Sequence, residues 1–225
     1  MWAIVVAGGT GRRFGGLKQF LPLAGLPVAA WSIRDARTAV DGVVLVVPED
    51  RTSDPGAAVP VPGASGDAAL GADRVVAGGA TRAASVRAGL DAVPGDAAVI
   101  VVHDAARPLA GAGLFGAVVD AVRAGGPDGV VPVVPVADTV KRVAGDRVVA
   151  TIDRTDLVAV QTPQAFVADV LRSAHRSGGD ASDDAGLLEA DGRVVGTVPG
   201  DPRNLKLTRP EDLALAEALL HGADR

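Results

Sequence analysis

Three short apolar runs, Trp2–Val6, Val43–Val47 and Ala98–Val102, are each followed by glycine, proline or charge, and helix-like periods lie between them. Runs of this length and composition read as strands buried on both faces. Residues 27–39 read as a helix, with Pro27 in its first turn and Val28, Trp31, Ile33 and Ala36 near one side. Strands that alternate with helices in this way predict an α/β fold, a mostly parallel sheet flanked by helices. The 225 residues are enough for one large domain of that kind, with or without an appendage.

The first strand runs into Ala7-Gly8-Gly9-Thr10-Gly11-Arg12-Arg13-Phe14-Gly15-Gly16-Leu17-Lys18. Glycines let backbone N–H groups approach phosphate oxygens. Arginine adds a planar fork and lysine a compact charge. A triphosphate needs this combination, and cations fixed there stabilise charge that builds on phosphorus during group transfer. The plainer alternative is an ordinary strand-to-helix turn with solvated arginines. Neither common phosphate fingerprint fits. The third glycine of G-x-G-x-x-G falls on Phe14, and Lys18 is followed by Gln19 where a P-loop needs Ser or Thr.

Composition removes several classes. A net charge of −5 gives no bulk attraction to nucleic acid or anionic membrane, and the scarcity of aromatics argues against base stacking. Without cysteine there are no disulfides or thiolate metal sites. His103, His175 and His221 lack metal-ligand spacing. No basic leader and no membrane-length apolar run are seen, so the expected setting is cytoplasmic, with neither a nucleic-acid nor a membrane partner. Lys18, Lys141 and Lys206 are the only lysines among many arginines. A lysine kept against that background marks a place where Arg geometry serves less well.

Further along, residues 49–72 read mostly as loop, with a short helix near Ala68–Leu70. Arg74–Val76 reads as a strand, followed by Gly78-Gly79-Ala80-Thr81-Arg82-Ala83-Ala84-Ser85 and a helix to about Ala92. The glycines permit close approach to a ligand, or make a plain turn capped by Thr81. The strand Ala98–Val102 runs into His103-Asp104-Ala105-Ala106-Arg107-Pro108, which puts Asp104 where open α/β sheets bind ligands. Asp104 is a candidate for a metal or a sugar hydroxyl, His103 reads as a packed residue, and Arg107 as a loop ion pair or an anion contact. Leu114–Ala124 reads as a helix. Gly129–Val136 reads as a strand near an edge or bulged, because of Pro132 and Pro135.

Residues 138–152 alternate about a Gly145-Asp146 turn and read as a projecting β-hairpin. Its edges need a partner, which predicts a dimerisation arm at about 137–155 on a single 1–225 domain. Helices are expected at Gln164–Arg176 and Ala185–Ala190, the latter capped at Ser182-Asp183-Asp184. Arg193–Val198 reads as the last strand. A capping box at Thr208–Glu211 opens a final helix whose apolar face is Leu213, Ala216 and Leu220.

Seven motifs stand in order: Ala7–Lys18 with Gln19, Gly78–Ser85 with Val86, His103–Pro108, Asp138-Thr139 with Lys141, Asp153-Arg154, Thr162-Pro163-Gln164, and Asn204-x-Lys206-x-Thr208-Arg209-Pro210-Glu211-Asp212. Together they resemble the 2-C-methyl-D-erythritol 4-phosphate cytidylyltransferase family, from Ile4 to about Leu220. The resemblance implies a Rossmann-like nucleotidyltransferase domain whose β-arm clasps a second subunit. It implies that the phosphate of methylerythritol phosphate attacks the α-phosphorus of CTP and that pyrophosphate leaves, aided by Mg²⁺ or another divalent cation carried on the CTP phosphates, with Asp104 the one candidate protein ligand. By position, it implies that Arg13 and Lys18 stabilise the reacting phosphorus. Lys206 would hold the substrate phosphate. Ala7, Gly8, Gly79, Ala80 and Ser85 would surround the cytosine, with Gly9 and Ala105 at the ribose. Asp104 and Arg107 would meet the methylerythritol moiety, Thr139 and Arg154 would enter the neighbouring subunit's site, and Thr162 and Ser182 would supply hydroxyls.

Three departures accompany the resemblance. Only Phe14–Leu17 separate Arg13 from Lys18, where the family usually has a longer gap. Ala80 stands where many members carry Asp, and Ser182 where Thr is common. The competing expectations are a ribitol-5-phosphate cytidylyltransferase, the guanylyltransferase of the molybdenum cofactor, and a non-catalytic nucleotide-binding relative.

Overall fold

The computed structural model describes residues 1–9, 11, 14–52, 71–177 and 181–222. Arg13 and the helix expected near Ala68–Leu70 lie outside the described residues. The elements run β1 (Trp2–Val6), β2 (Pro22–Leu23), β3 (Leu26–Pro27), α1 (Val28–Ala36), β4 (Gly42–Val47), β5 (Arg74–Ala77), α2 (Arg82–Ala92), β6 (Val99–Asp104), α3 (Gly111–Arg123) and β7 (Gly129–Pro135). Then come β8 (Lys141–Ala144), β9 (Arg147–Thr151), β10 (Val158–Val160), β11 (Gln164–Val167), α4 (Ala168–Arg176), α5 (Asp184–Ala190), β12 (Val195–Pro199) and α6 (Glu211–Gly222).

The main sheet has the order β10-β7-β11-β6-β1-β4-β5, and β12 pairs with β7. β1 lies parallel between β4 and β6, with Val6 opposite both Val46 and Asp104. After β1 the chain builds outward through β4 and β5, then returns to place β6 on β1's other side. The carboxyl ends of β1 and β6 therefore flank the point where strand order reverses, the usual ligand crevice of an open α/β sheet. Alternate residues feed two cores. Ala3 and Val5 of β1 join α1 and α3, while Ile4 joins α2, α4 and α5. Because both faces are covered, β4 and β6 are buried along their length, and β6 is apolar up to His103 and Asp104 at its carboxyl end. A third cluster (Leu23, Val28, Leu207 and Ala216, with Leu213 and Leu220 against it) docks α6 beside α1 as its apolar face predicts. No helix among the described residues is long and apolar enough to cross a membrane.

Four sequence expectations are corrected. The helix expected over Gln164–Arg176 starts only at Ala168; Gln164–Val167 is an antiparallel strand wedged between β6 and β7. Its reason is a local period of two, with Ala165 in one core and Phe166 in the other. β7 is not an edge: β12 covers one side and β10 with β11 the other. The prolines are accommodated because the antiparallel partner breaks opposite Pro132, whose carbonyl accepts from the Gln161 N–H at 2.8 Å. At α6, Asp212 rather than Glu211 reaches back, accepting from the Thr208 and Arg209 N–H groups at 2.6 and 2.8 Å. The last strand is Val195–Pro199, a shift toward the carboxyl end.

The hairpin forms as expected. β8 and β9 pair only with each other, about Gly145 at φ +61°. Its Val143, Val148 and Val149 are 60, 63 and 57% exposed, an unusual display for valine.

Candidate active site

A cavity of about 460 Å³ opens between the ends of β1, β5 and β6. Ala7, Gly8, Gly9, Lys18, Gly79, Ala80, Ser85, Asp104, Ala105 and Lys206, all expected from the sequence, line it. Glycine is required by contact at two neighbouring positions, Gly78 and Gly79. A Cβ at Gly78 would lie 2.9 Å from the Ser85 hydroxyl, and one at Gly79 2.4 Å from the Ala84 Cβ. Ser85 is buried at the start of α2. Its Oγ accepts from the Gly79 N–H at 3.1 Å and donates to the Thr81 carbonyl at 3.0 Å. Thr81 caps the helix by accepting from the Ala84 N–H, as its position in the sequence predicts.

The loop after β1 is held from below. Gln19, buried in a short 3-10 turn, donates to the Ala7 and Gly9 carbonyls at 2.6 and 3.0 Å. The Ala7 N–H donates to Val46 at 2.7 Å, so both polar groups of Ala7 already have backbone-fixing partners. Beside Gln19, Lys18 turns its Nζ to the Leu207 carbonyl and lies 5.7 Å from the Phe14 ring centroid.

A charge chain crosses the cavity wall. Lys206 Nζ donates to Asp104 Oδ2 at 2.6 Å, and Arg82 Nε to Asp104 Oδ1 at 3.1 Å. Arg82 also donates to Asp184 Oδ2 at 2.7 Å, whose Oδ1 lies 2.9 Å from His175 Nε2. Burial pushes the Asp104 carboxyl up, but Arg82 and Lys206 outweigh it and hold the group well below the usual carboxylate range. Burial likewise opposes the Arg82 charge, and Asp184 and Asp104 overcome it, so the guanidinium is more basic than usual.

Behind Asp104, the Thr162 hydroxyl accepts from the Asp104 N–H at 3.0 Å and lies 3.1 Å from His103 Nδ1. His103 Nε2 reaches the Arg107 carbonyl at 3.2 Å, which assigns the proton to Nε2. Burial pushes His103 down to about 4. It packs on Phe115 with centroids 4.9 Å apart, a packed neutral residue as its sequence context predicts.

Lys206 is aimed by its neighbours. Asn204 is fully buried and donates to the Thr162 carbonyl at 2.9 Å. Leu207 is fully buried too, and its N–H donates to Ala106 at 2.8 Å. Between two inward anchors the lysine must face the cavity. Arg107 fastens the same segment, donating to the Asn204 carbonyl at 2.8 Å. It therefore lies beside the cavity rather than among its lining residues.

Thr162 is buried behind the cavity, Ser182 is exposed near α5, and Thr139 and Arg154 are exposed at the base of the arm. None of the four lines the cavity; Arg154 donates to the Val136 carbonyl at 2.6 Å. Arg82, Asp184 and His175 belong to the site's charge chain and were not singled out by sequence. Arg82 and Asp184 lie 102 residues apart, so no local spacing links them. Gln19 carried a signal, its place directly after Lys18. Among the described residues, no three His, Asp or Glu side chains converge as a metal cage.

A glycine-floored cavity with fixed cations at the switch point of a mostly parallel sheet defines an α/β protein of the nucleotide-binding kind. The family model for IspD, 2-C-methyl-D-erythritol 4-phosphate cytidylyltransferase, matches residues 1–222, and the chain belongs to that family. A Nocardia farcinica protein named 2-C-methyl-D-erythritol 4-phosphate cytidylyltransferase is 45% identical, over 97% of this chain and 93% of its own. A bifunctional IspD/IspF enzyme of Solidesulfovibrio magneticus is 46% identical over 97% of this chain, which spans 57% of that longer relative. The crystal structure of the Thermus thermophilus cytidylyltransferase superposes with a TM-score of 0.78 at 35% identity, covering 97% of this chain and 98% of that one. The family match favours the methylerythritol expectation over the ribitol and molybdenum-cofactor ones.

Proposed function

We propose that this chain transfers the cytidylyl group of CTP to the phosphate of 2-C-methyl-D-erythritol 4-phosphate. A phosphate oxygen of the acceptor attacks the α-phosphorus, the bond from that phosphorus to the bridging oxygen of the β-phosphate breaks, and pyrophosphate leaves. The supporting observation is the cavity itself, which sets Lys18 and Lys206 over a glycine floor and, among the described residues, contains no nucleophile–base pair. Such a site catalyses by positioning and charge stabilisation.

In this reading Gly8, Gly9, Gly79 and Ala80 admit the nucleotide closely, with Ser85 beneath the base and Ala105 beside the ribose. Arg13 and Lys18 serve the triphosphate, and Lys206, held by Asp104, meets the acceptor phosphate. Both Asp104 oxygens are paired to cations, so the residues fit a divalent cation carried in on the CTP phosphates rather than one caged by protein. Bound there, the cation neutralises charge on the phosphates. Arg107 and Ser182 complete the acceptor side, and Thr162 acts by holding Asp104.

Thr139 and Arg154 serve the partner's cavity in a homodimer joined through the arm. The exposed valines of β8 and β9 support such a cover. Pyrophosphate release with Mg²⁺ tests the reaction. Release is expected with CTP and methylerythritol phosphate, and not with GTP. Release with ribitol 5-phosphate instead would keep the chemistry and overturn the acceptor. Mixing Arg154→Ala with Lys206→Ala subunits is expected to restore part of the lost activity; no recovery despite proven exchange would refute the shared site.

A further inference from the structure

A second cleft, of about 560 Å³, lies on the other side of α2 from the catalytic cavity. Arg87, Leu90 and Asp91 of α2 and Arg172, His175 and Arg176 of α4 line it. Three guanidiniums thus face one carboxylate in a chain whose net charge is −5. Their circumstances differ. Arg172 has a structural role, donating to the Pro94 carbonyl at 2.8 Å and lying 3.7 Å from Asp169. Arg87 and Arg176 are not engaged in this way. Among the described residues, neither has a hydrogen-bond or ion-pair partner, and Asp91, one turn from Arg87, forms no ion pair with either arginine. Two like charges without a counter-ion, beside a third that is only partly neutralised, repel one another across a shared concavity, and a bound anion removes that repulsion.

The wall between them adds an independent observation. His175 is 3% exposed. Its Nε2 is committed to Asp184 at 2.9 Å, while its Nδ1 is buried with no hydrogen-bond partner among the described residues. With the Nε2 proton given to Asp184, Nδ1 is left an acceptor, and a buried, unpaired acceptor is costly unless a donor, such as the hydroxyl of a singly protonated phosphate group, supplies the missing partner.

We infer that the cleft between α2 and α4 is a second anion site, with room for a ligand that carries a diphosphate group. Arg87 and Arg176 grip the phosphoryl oxygens, Arg172 adds its remaining donors, and His175 closes the inner wall. Leu90 leaves room for an apolar substituent on one side. Arginine suits such a grip because its planar fork takes two phosphate oxygens at once. The cleft is separated from the catalytic cavity by the buried body of α2, so the two are filled independently. Its inner wall is nonetheless the last member of the chain that runs from His175 through Asp184 and Arg82 to Asp104.

The test is a calorimetric titration with inorganic pyrophosphate of protein whose catalytic cavity has first been saturated with CTP and Mg²⁺, the acceptor being left out. The CTP titration that precedes it shows whether the catalytic cavity takes nucleotide, so failure of the proposed function and failure of this site are read separately. One further pyrophosphate per chain is expected, and the Arg87→Gln/Arg176→Gln double variant is expected to weaken it at least tenfold. That variant should keep wild-type CTP affinity and turnover in pyrophosphate-free buffer, which also shows that it folds. No pyrophosphate bound to the CTP-saturated protein, or binding unchanged in the variant, overturns the site.

Discussion

Replacing Arg82 by Met removes the guanidinium that joins two buried carboxylates while keeping most of the side chain's bulk. Asp184 is 1% exposed and Asp104 11%, against 27% for Arg82. Taking one member from a buried ion pair costs about 3–5 kcal/mol, because the remaining charge is left uncompensated. Here neither carboxylate is left bare, since Lys206 stays 2.6 Å from Asp104 and His175 2.9 Å from Asp184. The low end, about 3 kcal/mol, is therefore expected at pH 7.

The pH dependence has a definite sign. Burial acts to raise the Asp104 carboxyl, but Arg82 and Lys206 hold it below its usual range. Such a group adds stability that is present above its unfolded pKa and lost as pH falls through the folded value. Without Arg82, burial counts for more and the folded pKa rises. The variant then loses less on acidification than the wild type, and the gap between them, level near neutral pH, narrows as pH falls from about 5 downward. Urea unfolding followed by Trp2 and Trp31 fluorescence measures it by linear extrapolation. A gap under about 1 kcal/mol at pH 7, the size of an exposed pair, or a gap constant with pH, would refute the reasoning.

Lys206→Ala should lower pyrophosphate release about 10²–10³-fold, the usual cost of one charge stabiliser; near-normal turnover would remove it from the chemistry. Gly11 sits at φ +63° with a Cβ position 1.8 Å from the Gly16 carbonyl oxygen, so Gly11→Ala should distort the loop and raise the CTP dissociation constant at least tenfold by calorimetry. Gln19→Leu leaves the Ala7 and Gly9 carbonyls without their donor, at about 1–3 kcal/mol, and should lower kcat through a displaced Lys18 while the variant stays folded by circular dichroism. Val143→Lys with Val148→Lys places charge on the exposed face of the arm, and light scattering is expected to find a dimer for the wild type and a monomer for the variant.

Where a segment's neighbours in sequence are also its neighbours in space, the fold was legible. β1, β4 and β6 are buried on both faces, so they read as apolar runs, and the glycines after β1 and β5 mark the strand ends where the cavity opens. The reading failed where long-range pairing decides. Gln164–Val167 opens with two residues that favour a helix, Gln164 and Ala165, yet insertion between β6 and β7 makes it a strand. Pro132 looked like an edge marker, yet the irregularity it requires lies in the partner strand. The same limit applies to the site. Motifs along the chain named the lining residues, while Arg82, Asp184 and His175 gain their meaning only from one another.

The short gap before Lys18 shows how such long-range fixing substitutes for local length. The Gly11 carbonyl accepts from the Phe14, Gly15 and Gly16 N–H groups at 2.8, 2.9 and 3.4 Å. The segment is thereby folded on itself and spans no distance that a longer loop would need to cover. What places the lysine is the residue after it. In a 3-10 turn successive side chains diverge by about 120°, so with Gln19 anchored on Ala7 and Gly9 the Lys18 side chain leaves from a different side of the turn, and its Nζ reaches the Leu207 carbonyl while the residue lines the same cavity. Residues added between Arg13 and Lys18 would extend the loop outward and leave that anchor where it is. The shortened gap is therefore compatible with a lysine in catalytic position, and its strongest constraint is the identity of Gln19.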